Sequence, residues 1–109
     1  MKALTLLAAS AIGAALASNA AGQAKAPRSA EQLYEASCAY CHGPGGWGTR
    51  TLAKRAPEGQ AELLERQNLP AALTEMVVRR GIGSMPQFTP TDISDEELER
   101  LARWLDERN

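Results

Sequence analysis

Apolar positions recur at helical spacing in three stretches of the chain. In the first, Ala30, Leu33, Tyr34 and Cys38 fall on one face. That stretch opens at Ser29-Ala30-Glu31-Gln32, the S-x-x-Q form of a capping box, in which a hydroxyl and a side-chain amide satisfy the free amides of a helix start. In the second, Leu73, Met76, Val77 and Arg80 share a face. Pro70 suits its first helical position, and Gly81 suits a left-handed residue that ends it. In the third, Leu98, Leu101, Ala102 and Leu105 form a stripe bordered by Trp104. Ser94-Asp95-Glu96-Glu97 is a second capping box, Ile93 and Leu98 form a hydrophobic staple around it, and the acidic first turn complements the helix dipole. A shorter helix is predicted within 57–67, with Pro57 in its first turn. Residues 43–51 read as a Gly-rich loop and 81–92 as irregular. No stretch alternates with the period of a strand, so the fold class is all-α, three main helices plus loops.

The N-terminus changes this picture. Met1-Lys2 precedes a run from Ala3 to Ala17 that is apolar apart from Thr5 and Ser10. The run is short for a membrane span, which needs about 20 apolar residues. Ser18-Asn19-Ala20 then fits the small-x-small cleavage pattern. Residues 1–20 are therefore predicted to be a cleaved signal peptide, 21–28 a flexible lead-in rich in Ala and Gly, and 29–109 one domain. A domain of that size buries a limited core, so an apolar cofactor at its centre would add materially to it. The chain has 12 basic residues, one of them Lys2 of the leader, against 13 acidic ones. With no basic stripe bearing interleaved aromatics, nucleic acid is not an expected partner.

The chemistry lies in Cys38-Ala39-Tyr40-Cys41-His42. C-x-x-C-H is the pattern of covalent c-type haem attachment. Each thiol can add across one vinyl group and leave a thioether. The histidine that follows presents its imidazole to the iron from the same turn. A redox disulfide of this spacing belongs to a βαβ context, which the chain lacks. A structural zinc site needs four ligands, and His42 is the only histidine. Export fits this chemistry, because bacteria attach haem c outside the cytoplasmic membrane; the predicted location is the periplasm.

One histidine fills one axial position. Met1 leaves with the leader, and Met76 sits on the apolar face of a helix, where core packing is its ordinary use. Met85 differs: it lies in the loop Gly83-Ser84-Met85-Pro86. The proline pushes it towards extended backbone, which can aim a thioether at a metal. His42 and Met85 are therefore the candidate axial ligands, a pair established in small cytochromes.

With the motif, Met85-Pro86 and the flanking helices, the chain resembles a class I cytochrome c over residues 29–107. The resemblance implies that the first and last helices cross beside one covalent haem. Ala30 and Tyr34 match its positions on the first helix, and Leu101, Trp104 and Leu105 those on the last. The family carries a Gly-Pro-x-Leu segment that sets a carbonyl on the second nitrogen of the haem histidine. Here that stretch is Thr49-Arg50-Thr51-Leu52, and the Arg50 carbonyl is the candidate acceptor. A closer likeness runs through Leu52-Ala53-Lys54-Arg55, Leu69-Pro70, Val77-Val78-Arg79-Arg80-Gly81 and Ser84-Met85-Pro86-Gln87-Phe88-Thr89. It resembles the cytochrome subunits of flavocytochrome hydroxylases of 4-alkylphenols such as p-cresol or eugenol. That likeness implies an FAD-containing partner subunit.

An iron held by both His42 and Met85 has no open position, which leaves outer-sphere electron transfer as the function and excludes catalysis by the chain itself. A free carrier between other periplasmic redox proteins is one alternative. A haem enzyme or gas sensor with an open axial site is another. Arg55, just beyond the Gly-rich loop, is a candidate for pairing with a haem propionate. Trp47 packs on the haem, donates its indole N–H to a propionate, or is an ordinary packing aromatic. Arg79 and Arg80 are further candidates for propionate pairing or a docking patch, with solvated surface charge the favoured reading.

Overall fold

The computed structural model describes residues 25–108. The predicted signal peptide and the first part of the lead-in lie outside the described residues. Five α-helices follow one another: α1 (Ala30–Ser37), α2 (Ala39–His42), α3 (Trp47–Leu52), α4 (Ala71–Arg80) and α5 (Asp95–Asp106). Among the described residues the only β-pairing is an isolated bridge between Ile82 and Met85. Among the described residues the fold is all-α, as the periodicity predicts, and α1 packs on α5, as the resemblance to a class I cytochrome c implies. No helix of the described residues is long and apolar enough to cross a membrane.

Both capping boxes form. Ser29 accepts from the Gln32 amide while the Gln32 side chain takes the Ser29 N–H, and Ser94 and Glu97 repeat the exchange. These boxes fix where α1 and α5 begin, and so which faces meet. Leu33 and Tyr34 of α1 and Leu98, Leu101 and Leu105 of α5 form the core with Leu69, Val78 and Ile93. Ala30 and Ala102 are also buried. The Tyr34 and Trp104 rings lie 6.0 Å apart, tilted by 50°. That separation is within the range of a favourable aromatic pair.

Four local expectations need correction. The Gly-rich loop ends at Gly46, because Trp47–Leu52 is helical with Gly46 as its extended N-cap. Residues 57–67 hold only a 3-10 turn at Leu63–Glu65, and Pro57 accepts a turn bond from the Gln60 amide instead of opening a helix. Pro70 is the N-cap of α4, one position before its first helical residue. The inward face of α4 is Thr74 and Val78, whereas Leu73 and Met76 are 40% and 44% exposed. Thr74 and Val78 are themselves four residues apart, so the sequence carried two semi-apolar stripes, and packing against α5 selected the more polar one.

Two arginines hold the remaining segments on α5. The lead-in is anchored at its end: Arg28 donates to Glu97 Oε1 from its amide at 3.0 Å and from Nε at 2.9 Å, and to Oε2 from Nη2 at 2.9 Å. Its own carbonyl accepts from Arg100 at 2.7 Å. The bonds from Arg28 hold the Glu97 carboxyl down to about 2. Arg79, expected in solvent, instead donates to the carbonyls of Phe88 and Ile93 and to Asp95 at 2.7 Å. It clamps the irregular 81–93 segment between α4 and α5.

Candidate functional site

The motif is one helical turn. Cys38 ends α1 and begins α2, and its carbonyl accepts from the amides of Cys41 at 3.1 Å and His42 at 2.9 Å. On a helix, positions i, i+3 and i+4 share a face. Cys38, Cys41 and His42 therefore face the same way, while the intervening Tyr40 is 94% exposed.

The next segment folds back onto this turn with no room for side chains. A Cβ at Gly46 would lie 2.4 Å from the Cys41 carbonyl oxygen. One at Gly48 would lie 2.8 Å from the same oxygen and 3.1 Å from Cε1 of His42. The glycines thus let α3 press on the motif's own backbone and on its imidazole. The buried Thr49 hydroxyl fastens the contact by donating to the Gly43 carbonyl at 2.7 Å. Nothing local in the sequence marks that threonine out.

Across from the motif, Gly81 ends α4 with φ of +69°, a value that favours glycine, and a Cβ there would meet the Met85 carbonyl oxygen at 2.7 Å. The chain then turns through Ile82–Met85, whose amides and carbonyls pair at 3.2 and 2.9 Å. Met85 is half-buried and packs against the hydrophobic core.

Between these walls is a cavity of about 430 Å³. Cys38, Cys41 and His42 line it, as do Met85, Trp47 and Arg55. The structure thus brings to one cavity the six side chains nominated for thioether attachment, iron ligation and propionate contact. Most of the exposed lining is apolar, supplied by residues such as Val78, Phe88 and Ile93. Its volume lies in the usual range for ligand and cofactor sites. A second recess, between Lys25–Arg28 and the start of α5, is polar and holds none of these groups.

Burial, reinforced by Cys41, pushes the Cys38 thiol up to about 11. Burial, and then the Arg66 cation, pushes the His42 imidazole below its ordinary value. Its Nδ1 is buried and finds no hydrogen-bond partner among the described residues, so the Arg50 carbonyl does not take the role foreseen for it.

This donor set discriminates between cofactors. A structural zinc needs four ligands, and no cluster of three His, Cys, Asp or Glu side chains suited to a metal ion exists among the described residues. Two thiols, an imidazole and a thioether around an apolar cavity instead fit a haem attached through its vinyl groups.

Known proteins show the same relationship. The family described as cytochrome c oxidase, cbb3-type, subunit III matches residues 25–105. The 4-cresol dehydrogenase (hydroxylating) cytochrome c subunit of Pseudomonas putida is 34% identical, over 79% of this chain and 68% of that one. A chain in the crystal structure of p-cresol methylhydroxylase with substrate bound is 28% identical, with a TM-score of 0.50 over 72% of this chain and 90% of that one. With its helices, its C-x-x-C-H turn and these likenesses, the chain belongs to the cytochrome c domain family that the subunit III description covers.

Proposed function

We propose that this chain is a periplasmic monohaem c-type cytochrome, the electron-accepting subunit of a flavoprotein dehydrogenase or hydroxylase acting on alkylphenols. In this reading, residues 1–20 are removed on export. The family implies haem c as the cofactor. One observation carries the rest: two thiols, an imidazole and a thioether line a single apolar cavity.

Cys38 and Cys41 would hold a haem through thioethers, and His42 and Met85 would be the ligands to its iron. When bound, the haem supplies one-electron Fe(III)/Fe(II) chemistry. The chain's own residues set its terms. The Met85 thioether is a soft donor that favours the ferrous state and so raises the potential. Val78, Phe88 and Ile93 keep water away, which disfavours the more highly charged ferric form. Arg55 and the Trp47 indole N–H, both on the cavity wall, serve the propionates. The clamp of Arg79 on Phe88, Ile93 and Asp95 fixes the segment that follows Met85, so ligand geometry changes little between redox states. With His42 and Met85 both bound to the iron, no position would remain for a substrate, and bond-making would fall to the partner. The likeness to the 4-cresol dehydrogenase cytochrome subunit and to a chain of p-cresol methylhydroxylase supports a partner that oxidises 4-alkylphenols.

The test is Met85→Ala in the matured protein. The account expects a high-spin spectrum, ready binding of cyanide and a lower potential. A native low-spin spectrum in that variant would show that Met85 is not the ligand. Copurification with a flavoprotein tests the subunit role, and a cytochrome that always elutes alone would favour the free carrier.

A further inference from the structure

Met85 belongs to the irregular stretch that leaves α4 at Gly81 and enters α5 at Ser94. Part of that stretch is held by α4. The Phe88 amide donates to the Val78 carbonyl at 2.9 Å, and Arg79 reaches the carbonyls of Phe88 and Ile93. Residues 89–92, between those two points, are all exposed. Their hydrogen bonds are mostly local. Asp92 accepts from the amide and the hydroxyl of Thr89 at 2.8 Å, and the amides of Asp92 and Ile93 donate back to the Thr89 carbonyl at 3.0 and 3.1 Å. Among the described residues, one hydrogen bond joins 89–92 to a part of the protein outside Phe88–Ile93. It runs from Nη2 of Arg28 to the Asp92 carbonyl at 2.6 Å. A polar recess of about 410 Å³ lies between Lys25–Arg28 and Pro90–Asp92, so little packing backs that bond. Arg28 itself is a fixed post. It donates to Glu97 three times, and its carbonyl accepts from Arg100 on the same helix.

We infer that Arg28 is a positioning residue for the Met85 thioether: it ties the turn that follows Met85 to α5 and so keeps the sulfur at the cavity wall. This rests on the reading of Met85 as the second iron ligand, and deepens it by naming what retains that ligand. A thioether favours the ferrous state. In the ferric state its retention depends on how seldom its loop opens, and exposed segments with few buried contacts open at low cost. The guanidinium suits the task because its rigid fork serves a carboxylate and a carbonyl at once. The lead-in, which contributes no side chain to the cavity, thereby acquires a part in ligation.

Cyanide binding to the oxidised, haem-bearing protein reads the opening of this loop. Cyanide takes the place of the Met85 sulfur: one iron–sulfur bond breaks, one iron–carbon bond forms, and no electron moves. Arg28→Leu should bind cyanide on the order of tenfold faster than the parent, the effect of losing one charge-assisted hydrogen bond. Glu97→Gln is the control. It removes the same ion pair, but glutamine still offers Arg28 an oxygen and the bond to the Asp92 carbonyl stays, so its cyanide rate should remain close to the parent's. A merely structural role for Arg28 would speed both variants in step with their loss of stability, and that outcome would overturn the proposal. Amide hydrogen exchange is the second readout. The hydrogen-bonded amides of Phe88, Asp92 and Ile93 should exchange faster in Arg28→Leu than in Glu97→Gln. Equal exchange in the two variants would also overturn it. Met85→Ala separates this proposal from the reading beneath it. If that variant binds cyanide no faster than the parent, Met85 is not the ligand and both fail. If it binds cyanide fast while Arg28→Leu behaves as the parent, only the role given to Arg28 fails.

Discussion

Replacing Glu97 by glutamine tests the tie between the lead-in and the last helix. Its carboxylate accepts from the Arg28 amide, Nε and Nη2 and from the Ser94 amide at 2.9 to 3.1 Å. These bonds lower its pKa from 4.5 to about 2. At about 1.36 kcal/mol per tenfold change, that fall sets an upper bound of about 3.4 kcal/mol. The side chains of Arg28 and Glu97 are 26% and 11% exposed, so solvent screening brings the expected value to about 2 kcal/mol. The sign follows from the depressed folded value. The contribution is complete above the unfolded pKa of 4.5, shrinks as pH falls below it, and is gone below about 2. Urea titrations of parent and Glu97→Gln, followed by far-ultraviolet circular dichroism, should differ by about 2 kcal/mol at neutral pH. The difference should fall well below 1 kcal/mol near pH 2. A gap of the same size at both pH values would show that shape, not charge, holds this corner. No gap at neutral pH would show that the ion pair contributes nothing.

Leu101→Ala, at a position 1% exposed in the core, should cost about 3 kcal/mol by equilibrium unfolding; a loss under about 1 kcal/mol would mean that α1 and α5 repack around the gap. Gly48→Ala places a methyl 3.1 Å from the His42 ring and 2.8 Å from the Cys41 carbonyl. It should lower the yield of haem-bearing protein and alter the spectrum of what matures, and a native yield and spectrum would refute the packing role given to this glycine. Gly81→Ala must adopt φ of +69° and meets the Met85 carbonyl. It should cost about 1 kcal/mol or more in stability and weaken ligation by Met85, read as easier displacement by cyanide.

What was legible in the sequence was local. The two capping boxes lie within four residues each, so Ser29 and Ser94 announced where α1 and α5 begin. The C-x-x-C-H turn likewise brings three side chains to one face by helical geometry alone. Met85 stood out because a loop bounded by Gly83 and Pro86 is a poor place for a core methionine. The facing of α4 was not legible, because Leu73–Met76 and Thr74–Val78 both recur at helical spacing and only contact with α5 chooses between them. The clamps of Arg28 and Arg79 join residues far apart in the chain, and no local pattern encodes such pairs. The stretch after the motif was legible only as a Gly-rich loop; that Gly46 and Gly48 abut the Cys41 carbonyl is revealed only by the folded path of α3.

On the proposed reading, Cys38 and Cys41 would carry one haem, with His42 and Met85 as the ligands to its iron. Intact-protein mass spectrometry of periplasmic material, paired with a reduced absorption spectrum of the same sample, tests it most directly. The account predicts a mass equal to the polypeptide from residue 21 plus one haem, lost in a Cys38→Ala, Cys41→Ala variant, with the sharp bands of a low-spin c-type cytochrome. A colourless protein whose mass shows unmodified cysteines would contradict it.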